Sequence, residues 1–197
     1  ETLKDEIATI KCDYLITEST YGNRLHLADK EIEDDLLQIV VDTCVKNKGK
    51  LIIPSFAIGR TQEIVYVLND LFNKGRLPRI DVFVDSPLSV NATDIFRMHT
   101  DGMNEEVKAL LKYDSDPFGF NSLHYIKRLE ESKALNSYDK PCIIISSSGM
   151  MEAGRIKHHV ANNISNRHNT ILIVGYCAPA TLGARIQEPG LREISIF

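Results

Sequence analysis

A chain of 197 residues, 43% hydrophobic and 25% charged, is long enough to bury one sizeable core. Its net charge of −4 excludes bulk basicity as a source of nucleic-acid affinity, so any such contact needs a local basic patch. No apolar run reaches membrane-spanning length and no secretory signal is visible; Cys12, Cys44, Cys142 and Cys177 form no CxxC pair, which predicts reduced thiols in a cytoplasmic protein.

Strand-like and helical segments alternate along the chain. Strands are predicted over 13–17, 50–54, 81–85, 142–146, 170–175 and 193–197. The runs Ile143-Ile144-Ile145 and Ile171-Leu172-Ile173-Val174 are continuously apolar, as in strands buried on both faces of a parallel sheet. A first helix lies between Asp29 and Lys48, with Leu36, Ile39, Val40, Thr43 and Cys44 at helical spacing and Gly49 closing it. A second carries the stripe Ile64, Val65, Val67, Leu68, Leu71 and Phe72 and ends at Gly75. A third follows Asn104 with Val107, Leu110 and Leu111. A fourth is predicted from Leu123, Ile126 and Leu129, with Asn121 as its cap. Residues 113–120, with Asp116-Pro117 and Gly119, form a loop. The fold class is α/β, a doubly wound, mostly parallel sheet with helices on both faces. The chain begins at Glu1 and ends inside the apolar run Ile194-Ser195-Ile196-Phe197, which predicts a piece of a larger polypeptide.

Candidate chemistry sits where strands end, the usual ligand edge of such sheets. Glu18 follows Tyr14-Leu15-Ile16 and precedes a tight Tyr21-Gly22 turn; alone, it reads equally as a cap. Arg60 lies in the first turn of the second helix, where a cation opposes the helix dipole. It either meets an anion such as an RNA phosphate or pairs with a carboxylate such as Glu63. Asp85 and Ser86 read first as caps ahead of Pro87, with Asp85 a further site candidate. Ser147, Ser148 and Gly149 follow a strand as a small-residue turn able to cradle a phosphate, with Gly149 admitting an unusual backbone angle. Arg155 and His158 are three residues apart, on one helix face beside that turn. Tyr176 either stacks on a base or packs at a rim. Of the six histidines, none forms a His-x-His-x-Asp-His cluster, and adjacent His158 and His159 point about 100° apart on a helix, so no metal site is expected within the chain.

Five segments in this order, TESTYGNR at 17–24, PSFAIGRTQE at 54–63, DSPLSVNAT at 85–93, SSSGMMEAGR at 146–155 and GYCAPATLG at 175–183, carry a family resemblance. The chain resembles the β-CASP region of metallo-β-lactamase-fold ribonucleases, the RNA 3′-end-processing endonucleases and RNase J-type enzymes. ESTYG looks nearer the 3′-end-processing type; endonuclease and exonuclease action both stay open. The resemblance implies a β-CASP domain at 23–188. Residues 1–22 would end the first metallo-β-lactamase half and 189–197 would start the return to it. It implies RNA phosphodiester hydrolysis by a metal-bound hydroxide, with two zinc ions in the full-length enzyme and none held by this chain. Glu18 aligns with the motif A acid, which orients a metal-site histidine outside this chain. The FA-x-x-R-x-QE pattern puts Arg60 near the cleft, and the segment containing Ser147, Ser148 and Gly149 contacts RNA backbone. Implied partners are RNA, the metallo-β-lactamase half and a second copy of the chain, with no membrane. A different class is a non-catalytic RNA-binding or scaffold member that has lost its metal ligands. An unrelated nucleotide-binding domain would place GxGxxG or GxxxxGK[ST] after the first strand, and ESTYGNR fits neither.

Overall fold

The computed structural model describes residues 11–23, 25 and 29–197. Helix α1 (Asp29–Val40) widens into a π-type turn (Val41–Lys46) and leads to β1 (Leu51–Pro54). Then follow α2 (Arg60–Asn73), β2 (Asp81–Asp85), α3 (Pro87–Met98), α4 (Glu105–Leu110), β3 (Leu123–Ile126), α5 (Leu129–Ala134), β4 (Cys142–Ser146), α6 (Ile156–Asn163), β5 (Thr170–Ile171) and α7 (Leu182–Ile186). The strands form one parallel sheet in the order β3-β2-β4-β1-β5.

This order explains the two-sided burial. The chain runs outward from β1 to β2 and β3, then returns to β4 and crosses β1 to reach β5. Right-handed crossovers place the helices of the outward half on one face and those of the return on the other. Alternate strand residues divide accordingly. Leu51, Ile53, Val82, Val84, Ile143 and Ile145 pack with α1, α2 and Val107 of α4. Ile52, Phe83, Cys142 and Ile144 pack with Met151, Ile156 and Val160, near α5 and α7. Ile143, Ile144 and Ile145 of the central strand are all fully buried.

Local choices follow the side chains. Ser86 Oγ accepts from Ser89 N at 3.2 Å and Pro87 occupies the first turn of α3, so this helix starts where its caps predict. Asn104 caps α4 through Val107 N at 3.0 Å. The first helix ends differently from expectation. Its left-handed residue is Lys48 (φ +56°), not Gly49. Gly49 is needed for another reason: a Cβ there would lie 1.8 Å from the carbonyl oxygen of His168.

Four predicted elements are corrected. The helix expected from Leu123 to Leu129 is the strand β3, followed by a separate helix, α5. The i, i+3, i+6 spacing of its apolar residues imitates a helix, but pairing with β2, Val84 opposite Tyr125, fixes the extended form. Segment 13–17 forms no strand among the described residues, and Tyr14, Leu15 and Ile16 are each at least 79% exposed. Segment 170–175 is paired only at Thr170 and Ile171, with one further bond from Leu172 N to Ile52 O at 2.9 Å. Segment 193–197 has no ladder; Ile194 and Ile196 only pack against the second core. No helix among the described residues is long and apolar enough to cross a membrane.

Candidate functional site

β4 lies between β2 and β1, and the loop leaving it turns to the opposite face from the loops leaving its neighbours. Such a switch opens a crevice at the C-terminal edge of the strands. A cleft of about 360 Å³ lies there, lined by the end of β2, the start of α3 and residues of the loop after β4.

Its base is Asp85, fully buried at the end of β2. Arg155 Nη1 donates to Asp85 Oδ1 at 2.6 Å, Ser132 Oγ donates to Oδ2 at 2.5 Å, and His159 Nε2 lies 2.6 Å from Oδ2. Burial opposes ionisation of this carboxyl, but the bonds from His159, Ser132 and Arg155 outweigh it and hold the group below the usual aspartate range. Arg155 also donates from Nη2 to Lys127 O at 2.8 Å and from Nη1 to Ile126 O at 3.4 Å. One guanidinium thus joins β2, the end of β3 and the start of α6. His159 Nδ1 is buried with no hydrogen-bond partner among the described residues. Because an ionised carboxylate only accepts, the proton shared with Asp85 sits on His159 Nε2.

The loop from Ser147 to Arg155 is shaped by its glycines. Gly154 has φ +83°, and a Cβ there would meet Ser147 O at 2.3 Å. Gly149 does not take the unusual angle expected of it. It is required because Phe56, in the loop after β1, packs against it, 2.9 Å from where a Cβ would sit. Ser148 N–H donates to Ala153 O at 3.1 Å within the turn. Ser147 Oγ lies 3.2 Å from Ser89 Oγ, linking the loop to α3.

The structure therefore brings Ser147, Ser148, Arg155 and Asp85 to one cleft, with Gly149 beside it on Phe56. The other candidates lie apart from its lining. Arg60 opens α2 and pairs with Glu63 at 2.8 Å. His158 is exposed, its ring 5.0 Å from that of Phe197. Tyr176 is partly exposed beyond β5. Glu18 is solvated, and its carboxylate accepts from Thr20 N at 2.9 Å, which lowers its pKa. Arg24, within the first motif, and His26 lie outside the described residues.

Two residues escape a reading by motif. His159, not His158, turns to Asp85, because α6 starts at Ile156 and Arg155 and His159 stack four apart. Gln62 is fully buried: Oε1 accepts from Gly59 N at 2.8 Å and Nε2 donates to Thr93 Oγ1 at 2.9 Å, joining the loop after β1 to α3. The available signal was its place in the FA-x-x-R-x-QE pattern, three residues after the helix-opening Gly59. Among the described residues no group of three or more His, Cys, Asp or Glu is placed to hold a metal ion.

The profile of the Beta-Casp domain matches residues 61–186. A ribonuclease from Thermus thermophilus is 35% identical over 195 residues, covering 98% of this chain and 44% of that protein. An RNase J-like protein from Methanocaldococcus jannaschii is 35% identical over 187 residues, 94% of this chain and 42% of its own length. Cleavage and polyadenylation specificity factor 73 of Drosophila melanogaster is 28% identical, over 93% of this chain and 26% of that protein. The chain spans less than half the length of each of these relatives. Its parallel sheet, its glycine-shaped loop after β4 and a profile match over most of its length place it together with them: the chain belongs to the β-CASP domain family.

Proposed function

We propose that this chain is the β-CASP part of a metal-dependent ribonuclease, forming one wall of the cleft in which an RNA phosphodiester is hydrolysed. The observation that carries the reading is the convergence of Ser147, Ser148 and Arg155 on one cleft at the switch edge of the sheet. Ser147 and Ser148 offer hydroxyls at a neutralised wall, since Arg155 and Asp85 cancel one another's charge. Arg60 adds a cation at the neighbouring strand end, held by Glu63 in the absence of RNA. The relatives' names, which include ribonuclease and RNase J-like protein, support RNA as substrate.

Zinc is the metal we assign to the whole enzyme, but the residues here do not fit it. Adjacent His158 and His159 engage different partners, and Glu18 is turned to Thr20. The role assigned to Glu18 is to orient a metal-site histidine contributed from outside the described residues. On this reading, residues 1–22 and 189–197 belong with a metallo-β-lactamase half and 23–188 with the β-CASP domain, the enzyme acting in the cytoplasm with endonuclease or exonuclease action and a homodimer as its assembly.

The test is RNA binding and cleavage by the full-length protein carrying Ser147→Ala and Ser148→Ala together. RNA affinity should fall without loss of folding. Unchanged affinity and cleavage would remove the loop from the RNA path.

A further inference from the structure

A second cavity, wider than the cleft, lies at the opposite end of the sheet. It has a volume of about 780 Å³ and opens at the N-terminal ends of β2, β3 and β4, beside Asp81, Ser122 and Lys140. Three of its lining residues are cations: Lys48, Arg79 and Lys140. Acids outnumber Lys and Arg in this chain by 27 to 23. Several cations elsewhere on the sheet flanks are paired with carboxylates, as in Arg76 with Glu33, Arg97 with Asp116 and Arg155 with Asp85. These three have no carboxylate partner within 4.0 Å among the described residues. The one acid in the lining, Asp81, is already occupied: the Tyr138 hydroxyl donates to Oδ2, and His124 Nε2 lies 3.5 Å from Oδ1. The wall between the charges is apolar and includes Phe72, whose ring stacks on Phe120 at 5.2 Å. Lys48 sits at this edge in the left-handed region, with φ +56°.

We infer that this cavity is a second anion site, taking a nucleoside phosphate. Three unpaired cations suit a phosphate, which needs charge-assisted donors. An aromatic wall suits the flat face of a base. The Ser122 hydroxyl offers a further hydrogen-bonding group. The volume lies in the range of small-molecule sites. The ligand is either a nucleotide of an RNA strand or a free mononucleotide; the first alternative rests on the ribonuclease reading, and the second does not.

The experiment is photocrosslinking of the full-length protein to two probes, 4-thiouridine monophosphate and a single-stranded RNA containing 4-thiouridine, with crosslinked peptides mapped by mass spectrometry. Labelling is expected in peptides covering 72–81 or 121–141. It should be lost in the variant Lys48→Glu/Arg79→Glu/Lys140→Glu, and at least tenfold reduced in the milder Lys48→Gln/Arg79→Gln/Lys140→Gln. All three side chains are exposed, so both variants should fold. Labelling by the RNA alone assigns the site to a strand; labelling by both probes assigns it to a mononucleotide unit. For RNA, loss of three cations should also lower the slope of log affinity against log salt by about 2. No label at this edge with either probe, or label that survives both variants, overturns the inference. Label at 147–155 is scored separately: its absence would count against the cleft reading and leave the second site standing.

Discussion

Arg155 and Asp85 meet at 2.6 Å between a guanidinium 18% exposed and a carboxylate with no exposure at all. A buried charge pair contributes little net stability, yet losing one partner strands the other. Arg155→Ala should therefore destabilise the chain by about 3–5 kcal/mol, measured by urea unfolding. The double change Asp85→Asn/Arg155→Met should recover a good part of that loss. If the single and double variants are equally unstable, the pair is not coupled.

The same carboxylate sets an acid limb. Its pKa is lowered by folding, so its stabilisation is complete above the unfolded value of about 3.9 and is lost as pH falls through the lower folded value. Stability should drop with acid in that window, and more in the parent chain than in Asp85→Asn. Parallel acid profiles of the two proteins would contradict the assignment.

Two glycines with the same left-handed angle should differ in cost. Gly59 and Gly154 both have φ +83°, but a Cβ at Gly59 meets nothing within 4 Å while one at Gly154 meets Ser147 O at 2.3 Å. Gly59→Ala should cost about 1–3 kcal/mol, the strain of holding a residue with a Cβ at φ +83°, ψ −81°. Gly154→Ala should cost clearly more and shift the loop at Ser147. Equal thermal midpoints would show that the clash is relieved elsewhere.

Arg60→Ala should leave stability within about 0.5 kcal/mol, because its bond to Glu63 is a partly exposed pair three residues apart on a helix. If it meets one phosphate, the salt slope of single-stranded RNA binding should fall by about 0.7. An unchanged slope would leave Arg60 as a partner of Glu63 only.

Glu18→Ala should cut cleavage by the full-length protein about 10- to 100-fold, the usual cost of losing a carboxylate that orients a metal-site histidine. The thermal midpoint should move little, because Glu18 is exposed and among the described residues its carboxylate accepts from Thr20. Wild-type rates in this variant would exclude the role.

The sheet was legible where sequence and environment agree. Ile143-Ile144-Ile145 could only be a strand covered on both sides, and Ser86-Pro87 could only open a helix. β3 was not legible, since its four residues carry helical spacing and owe their form to β2. The cleft was half legible. Small residues after β4 marked the loop, but the choice between His158 and His159 depended on where α6 begins, a boundary one residue wide. Asp85 looked like a cap because its three partners, Ser132, Arg155 and His159, lie 47 to 74 positions away.

The position of β4 also bears on how the chain folds. It is the fourth strand made but the middle one of the sheet, and Leu51 faces Ile143 across roughly ninety intervening residues. Until β4 arrives, β1 and β2 have no neighbour between them and expose apolar edges. Closing such distant partners is entropically slow, and unpaired edges invite pairing with other chains. During synthesis β1 and β2 must wait for the segments 55–141 and 86–141 to emerge before β4 can join them, so the yield of soluble protein should depend on expression rate and temperature more than the final packing suggests.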